Sequence, residues 1–167
     1  MPISSRVLDV MGRVMAIRVA HAHCDIPCGI YDPHAAQVAA HTVLRMDMLI
    51  ADLVKSGGMG AEDRNRMVRY VMVKEEHAEL CKKEVRILWG DYFKPEHAAA
   101  DPELHELVWN TLKSASKARQ STSIADAESL IENVKRIAEI FWKTKGVKTK
   151  RVKSFYPTEH EIVYPVV

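Results

Sequence analysis

The sequence predicts an all-α protein, an antiparallel, up-down-up-down four-helix bundle. Three observations predict this fold. Between residues 33 and 146, apolar residues recur with helical spacing in four long segments, and no alternating strand pattern appears. Short stretches that contain glycine or proline separate these segments. The chain has 167 residues, of which 47% are hydrophobic, so one domain with a buried core is expected.

Residues that start or stop helices bound each segment. Asp32 and Asp101 each precede a proline and are predicted N-caps, and Gly146 closes the last helix. A run of three glycines within residues 57–60 separates the first two helices. The predicted helices are 33–55, 61–88, 102–118 and 123–145, with a loop over 89–95.

The two ends of the chain differ from this body. Residues 1–22 have helical apolar spacing and end in Ala20-His21-Ala22, which imitates a secretory cleavage site. Arg13 and Arg18 interrupt the apolar run that a secretory signal requires, which favours a pro-segment or a plain helix. Residues 147–167 are basic and then aromatic and β-branched. They form either an extended arm docked on the body or a neighbouring subunit, or a disordered tail.

Composition excludes several classes of protein. The formal net charge of +2 argues against a dedicated nucleic-acid binder, and no apolar run reaches the length of a membrane span. Three cysteines cannot form a closed disulfide framework. Reduced thiols and the poor signal peptide predict a cytoplasmic protein. Cys81 stands alone and is predicted to be buried on the second helix.

The other two cysteines, Cys24 and Cys28, lie in a turn-rich loop that spans residues 23–33 and begins with His23. Thiolate and imidazole together suit zinc, copper, nickel or iron. A structural zinc site uses four side-chain ligands, so further ligands would have to come from the backbone, water or elsewhere. A ferritin-like di-iron site is excluded because no glutamate has a histidine three residues later.

The loop His23-Cys24-Asp25-Ile26-Pro27-Cys28-Gly29-Ile30-Tyr31-Asp32-Pro33 resembles the nickel-hook motif of nickel-containing superoxide dismutases. It matches H-C-D-x-P-C-G-x-Y-D-P at every fixed position. Trp89-Gly90-Asp91-Tyr92-Phe93-Lys94-Pro95 is similar to the family's W-x-D-Y-F-K-P. Residues 102–105 and 140–145 are further similar stretches, so the resemblance covers about residues 23–145. We refer to residues 23–33 as the hook.

The resemblance implies an enzyme that converts superoxide to dioxygen and hydrogen peroxide by cycling a nickel ion between its divalent and trivalent states. A protease would cut before His23, so that His23, Cys24 and Cys28 become the nickel ligands. Tyr31, Asp25 and Tyr92 would form a hydrogen-bonded shell around the hook, and Lys94 would attract superoxide. The resemblance also implies a homohexamer, with no nucleic-acid or membrane partner.

Two positions depart from the family pattern. Ala39 stands where the family has a glutamate and His77 where it has an arginine, the pair that tethers the axial histidine. His77 either replaces that tether or has no such role. His41 either replaces it or lies at the surface, and we favour the surface position. The departures leave an alternative function, a non-catalytic nickel- or copper-binding helical bundle that keeps the hook. The residues interpreted as core or subunit-interface aromatics are Trp89, Trp109, Phe141 and Trp142.

Overall fold

The computed structural model describes residues 28–58 and 60–166. This part of the chain is mostly helical, as the sequence predicts. Its elements, in chain order, are α1 (His34–Lys55), α2 (Ala61–Ile87), α3 (Pro95–Ala100), α4 (Leu104–Gln120), α5 (Ile124–Thr144), β1 (Thr149–Lys153) and β2 (Glu161–Pro165).

The four long helices surround one hydrophobic core. Helix α1 packs against α2 and α5, and α4 packs against the same two helices, which closes a ring of contacts. Burying a leucine or isoleucine side chain contributes ~1.5–3 kcal/mol, so this core is the main source of stability. None of the helices in the described ranges combines the length and apolarity needed to cross a bilayer. Fully buried members of the core include Leu44, Val85, Leu104, Leu130, Ile137 and Phe141.

Side chains satisfy the first turns of two helices. The Asp32 carboxylate accepts a 2.6 Å hydrogen bond from the His34 N–H, where α1 begins. Ser123 Oγ accepts from the Asp126 N–H at 3.3 Å at the start of α5. The predicted capping role of Asp101 is wrong, because its carboxylate pairs instead with Lys143 Nζ at 2.8 Å.

The prediction of a loop over residues 89–95 is also wrong. The chain continues past α2 in a π-helical turn, Leu88–Tyr92, in which the Phe93 N–H donates to the Leu88 carbonyl at 2.8 Å. The wider turn adds a residue and changes the direction in which the following side chains point. Tyr92 consequently packs on Phe141, with ring centroids 4.5 Å apart, and this tertiary contact outweighs the local glycine and proline signals.

The C-terminal residues form a β-hairpin that docks on the body. Strands β1 and β2 pair antiparallel, with Thr149 opposite Pro165. Ile162 and Val163 on β2 are buried. Arg151 on β1 pairs with Glu139 at 2.6 Å and Glu132 at 2.9 Å, both on α5. Of the two possibilities that the sequence left open, the docked arm is the one found.

His41 is not a surface residue, so its interpretation from sequence is wrong. It is 3% exposed beneath the turn of the hairpin, where its Nδ1 lies 2.8 Å from Thr158 Oγ1. Its ring meets that of Tyr156 edge-on, with centroids 5.2 Å apart. Burial lowers the pKa of His41 to about 4. The sequence could not reveal this environment, because the residues that cover His41 lie more than a hundred positions away.

The remaining cysteine and aromatic predictions have mixed outcomes. Cys81 is fully buried as predicted, and burial raises the pKa of its thiol to about 12. Phe141 is buried, and Trp89 and Trp142 pack partly buried against the core. Trp109 is 58% exposed, so the prediction that it lies in the core of this chain is wrong. That Trp109 lies in a subunit interface stays a prediction.

Candidate metal centre

The described end of the hook, residues 28–33, begins with an exposed cysteine in a tight turn. Gly29 has a φ of 69°, a left-handed conformation that glycine adopts without steric cost. The turn brings the Ile30 N–H to 3.4 Å from Cys28 Sγ. The thiolate is the form of cysteine that binds metals. Cys28 is exposed and therefore accessible to a metal ion.

The described end of the hook lies against the end of α2. A cavity of about 270 Å³ has Ile30, Tyr31 and Asp32 on one side and Glu84 and Ile87 on the other. Ile30 is 73% exposed, so this segment contributes little to the core. Its position depends instead on contacts made by its polar and aromatic side chains.

Tyr31 makes such a contact with Tyr92, and the two ring centroids are 5.4 Å apart. Tyr92 is itself fixed, because its hydroxyl lies 2.6 Å from Thr144 Oγ1. The Thr144 hydroxyl donates to the Phe141 carbonyl at 2.7 Å, so its oxygen accepts the proton of Tyr92. The Tyr92 oxygen keeps lone pairs for a further donor. The tyrosine pair thus connects the hook to the rigid end of α5.

Cationic and aromatic side chains surround a cleft of about 510 Å³ beside the hook. His97 stacks on Tyr92 with centroids 5.7 Å apart, and its Nδ1 accepts the Lys94 N–H at 3.2 Å. Lys145 Nζ lies 5.0 Å from the centroid of the Tyr92 ring, within cation–π range. Such a cleft favours a small anion. Its lining residues are Gly29, Tyr31, Asp91, Tyr92, Lys94, His97, Thr144 and Lys145.

The structure therefore brings three of the predicted site residues, Tyr31, Tyr92 and Lys94, to one cleft next to Gly29. The other predicted residues, His23, Cys24 and Asp25, lie outside the described residues. Within residues 28–58 and 60–166, no three histidine, cysteine or acidic side chains are grouped as a metal site. The predicted ligand set remains a prediction, since two of its three residues are not described.

Sequence reasoning missed His97, Thr144 and Lys145 as residues of this cleft. A signal for two of them was present, because Thr144 and Lys145 fall in the stretch 140–145 that is similar to the family. His97 lies three residues after Lys94, and no spacing rule places its ring on Tyr92 until α3 is known.

The two departures from the family pattern lie on the facing helices α1 and α2. Ala39 is fully buried on α1. The His77 Nδ1–H donates to the Val73 carbonyl of its own helix at 2.8 Å, which occupies one of its two ring nitrogens. His77 also lies six residues, about 9 Å of helix, before Lys83, which lines the cavity beside the hook.

Comparison with known proteins decides the family. Residues 18–145 match the family described as nickel-containing superoxide dismutase. The chain belongs to this family. It is 39% identical over 137 residues to the nickel superoxide dismutase of Streptomyces coelicolor, an alignment that covers 81% of this chain and 98% of the relative. The enzyme of Streptomyces seoulensis is 37% identical with the same coverage.

Solved structures agree with this assignment. A native nickel superoxide dismutase structure aligns with 41% identity and a TM-score of 0.65, covering 74% of this chain and 99% of the other. A structure described as having nickel ligation corresponding to the oxidised state gives 38% identity and a TM-score of 0.66 over the same shares. The family match ends at residue 145, so the hairpin of β1 and β2 lies beyond it.

Proposed function

We propose that this chain performs the reaction of its family at the cleft beside the hook. As a nickel-containing superoxide dismutase, it converts two superoxide anions and two protons to dioxygen and hydrogen peroxide, with nickel as its cofactor. The observation that carries the proposal is the cleft, which is lined by Tyr31, Tyr92 and Lys94 and by Gly29, the chain neighbour of the exposed Cys28.

The residues that would hold nickel are His23, Cys24 and Cys28. Nitrogen and thiolate donors suit square-planar divalent nickel, and the exposed thiol of Cys28 fits such a donor set. The α-amine of His23 becomes a donor only after the chain is cut between Ala22 and His23. When bound, the metal supplies a one-electron couple that superoxide can both reduce and oxidise.

The chain's own residues would control access and protons. Lys94 and Lys145 give the cleft a positive potential that raises the local concentration of the superoxide anion. The rings of Tyr31 and Tyr92 narrow the approach beside the hook. The Tyr92 oxygen, whose proton is held by Thr144, accepts a hydrogen bond from a proton donor in the cleft. Asp25 would complete this hydrogen-bonded shell.

The same proposal extends to assembly and cellular context. The ring of contacts among α1, α2, α4 and α5 supports an antiparallel, up-down-up-down bundle with the hook at its N-terminal end. The described end of the hook, residues 28–33, buries little surface, which supports a homohexamer in which neighbouring chains help to hold the hook. We also propose that residues 1–22 form a pro-segment removed by a protease. We propose a cytoplasmic location, with no nucleic-acid or membrane partner.

The test compares the chain that begins at His23 with the full chain of 167 residues. After incubation with nickel, the shorter chain should bind about one equivalent per subunit and turn over superoxide. The full chain lacks the α-amine ligand and should do neither at a comparable level. Bound nickel or copper without turnover in the shorter chain would favour the non-catalytic bundle instead. Equal turnover by both chains would overturn the processing step.

A further inference from the structure

We infer that the C-terminal hairpin positions the base of the hook, a role that rests on the proposed function because the hook is proposed to hold nickel. The hook base is defined here as residues 28–34. The hairpin, residues 147–166, is absent from the family match, which ends at residue 145. Its contacts with the hook base therefore come from outside the matched part of the chain.

The register of the hairpin sets its open end, rather than its turn, next to the hook base. Thr149 pairs with Pro165 at the open end, whereas Lys153 pairs with Glu161 near the turn. The open end follows directly from α5, because the Val147 N–H donates to the Trp142 carbonyl at 3.0 Å. The turn lies further along α1, where Thr158 contacts His41.

The strongest link is between Gln37 in the first turns of α1 and Val163 on β2. The Gln37 side-chain amide donates to the Val163 carbonyl at 3.1 Å and accepts from the Val163 N–H at 2.8 Å. Both residues are buried, and Gln37 is only 2% exposed. Because a buried polar group left unpaired is destabilising, these two hydrogen bonds fix the position of the strand relative to the start of the helix.

Tyr164 and Pro165, the residues that follow Val163 on β2, lie beside the hook base. The ring of Tyr164 lies against that of His34, with centroids 6.0 Å apart. His34 in turn donates its N–H to the Asp32 carboxylate, the last polar group of the hook before Pro33. Asp32, His34, Tyr164 and Pro165 line one cavity of about 300 Å³.

The other side of the hook base is held by the segment that leads into the hairpin. Thr144 binds the hydroxyl of Tyr92, and Lys145 lies over its ring. Tyr92 packs on Tyr31 of the hook. One C-terminal segment thus contacts Tyr92 at its beginning and His34 at its end. Because the described hook buries little apolar surface, these two contacts restrict how far its base can move.

The test uses Gln37→Leu, which removes both hydrogen bonds to Val163, and Tyr164→Ala, which removes a partly exposed ring and should not impair folding. Thr158→Val is the matched control, since it removes a buried hydrogen bond at the turn end of the same hairpin. Hydrogen exchange is measured in the full chain, and nickel release to a chelator is measured in the chain that begins at His23.

In Gln37→Leu we expect amide exchange of the hook base and nickel release to accelerate by about tenfold, the equivalent of roughly one to two lost hydrogen bonds. Tyr164→Ala should accelerate both by a smaller factor, and Thr158→Val should leave both unchanged. Unchanged exchange at the hook base in Gln37→Leu and Tyr164→Ala, or equal acceleration in Thr158→Val, would overturn the inference. Exchange needs no nickel, so it decides the role of the hairpin even if the nickel site fails.

Discussion

The hook and the C-terminal hairpin lie against the same end of α1, but different interactions hold them there. The described end of the hook exposes Cys28 and Ile30 and touches the body mainly through Tyr31. The hairpin buries Ile162 and Val163 and carries several ion pairs to α5. Because Cys28 and Ile30 are exposed, the described end of the hook gains little stability from burial. The hook, which is proposed to carry the chemistry, therefore depends on better-packed neighbouring segments to hold its geometry.

The largest effect should come from removing the exposed thiol of the hook. If Cys28 is a nickel ligand, as proposed, Cys28→Ser should lower superoxide turnover by more than about a thousandfold, since losing a ligand costs more than losing a residue that only supports one. The measurement is turnover per subunit together with nickel content. Cys81→Ala, a change at the buried cysteine, should keep both properties. Full turnover in Cys28→Ser would show that the Cys28 thiol is not needed for the reaction.

Two side-chain truncations, one on the hairpin and one on the hook, test the difference in packing between these segments. Ile162→Ala on the hairpin should lower the free energy of unfolding by about 3 kcal/mol, since it leaves a cavity in a buried site. Ile30→Ala on the hook should change it by less than about 0.5 kcal/mol, because that side chain is largely exposed. Denaturant unfolding of both variants gives the comparison. Equal losses would contradict the contrast drawn here.

The docking of the hairpin should also depend on pH through His41. The pKa of His41 is about 4 in the folded chain and near 6.5 when unfolded, mainly because burial disfavours its charged form. The unfolded chain therefore binds more protons between these values, so stability rises with pH across this window and is lost as pH falls from 6.5 to 4. Between about pH 7.5 and about pH 5 the loss should be about 2 kcal/mol.

Comparing the wild type with His41→Gln isolates this contribution, since the carboxylates of both proteins titrate alike. The free energy of unfolding is measured at each pH for both, and the variant should have the flatter profile. Parallel profiles would show that His41 does not titrate in a buried site.

The smallest effect concerns the hydrogen bond between Tyr92 and Thr144, which lies between the hook and the start of the hairpin. Tyr92→Phe keeps the ring against Tyr31 but loses the hydrogen bond to Thr144, which should cost about 1 kcal/mol of stability. Turnover should fall a few-fold because the Tyr92 oxygen no longer accepts in the cleft. Tyr70→Phe on α2 is the control and should leave turnover unchanged. A Tyr92→Phe enzyme with wild-type turnover would limit Tyr92 to a packing role.

The positions of the long helices could be predicted because their signals are local. The apolar spacing that predicts a helix over 123–145 lies within that segment itself, and α5 appears there as expected. The motif around Cys28 was equally local, and it led to the family that the comparisons identify. The predicted loop over 89–95 failed because packing of Tyr92 on Phe141, 49 positions away, favours a π-helical turn over the local signal of Gly90.

The sequence by itself determined the helical class, the hook motif and the family. It did not determine that β2 pairs with Gln37, that His41 is buried, or that Lys145 and His97 join the cleft. Only the tertiary structure decided these points. Each depends on residues far apart in the chain whose meeting is favoured by burial and hydrogen bonding, and neither interaction leaves a spacing pattern in the sequence.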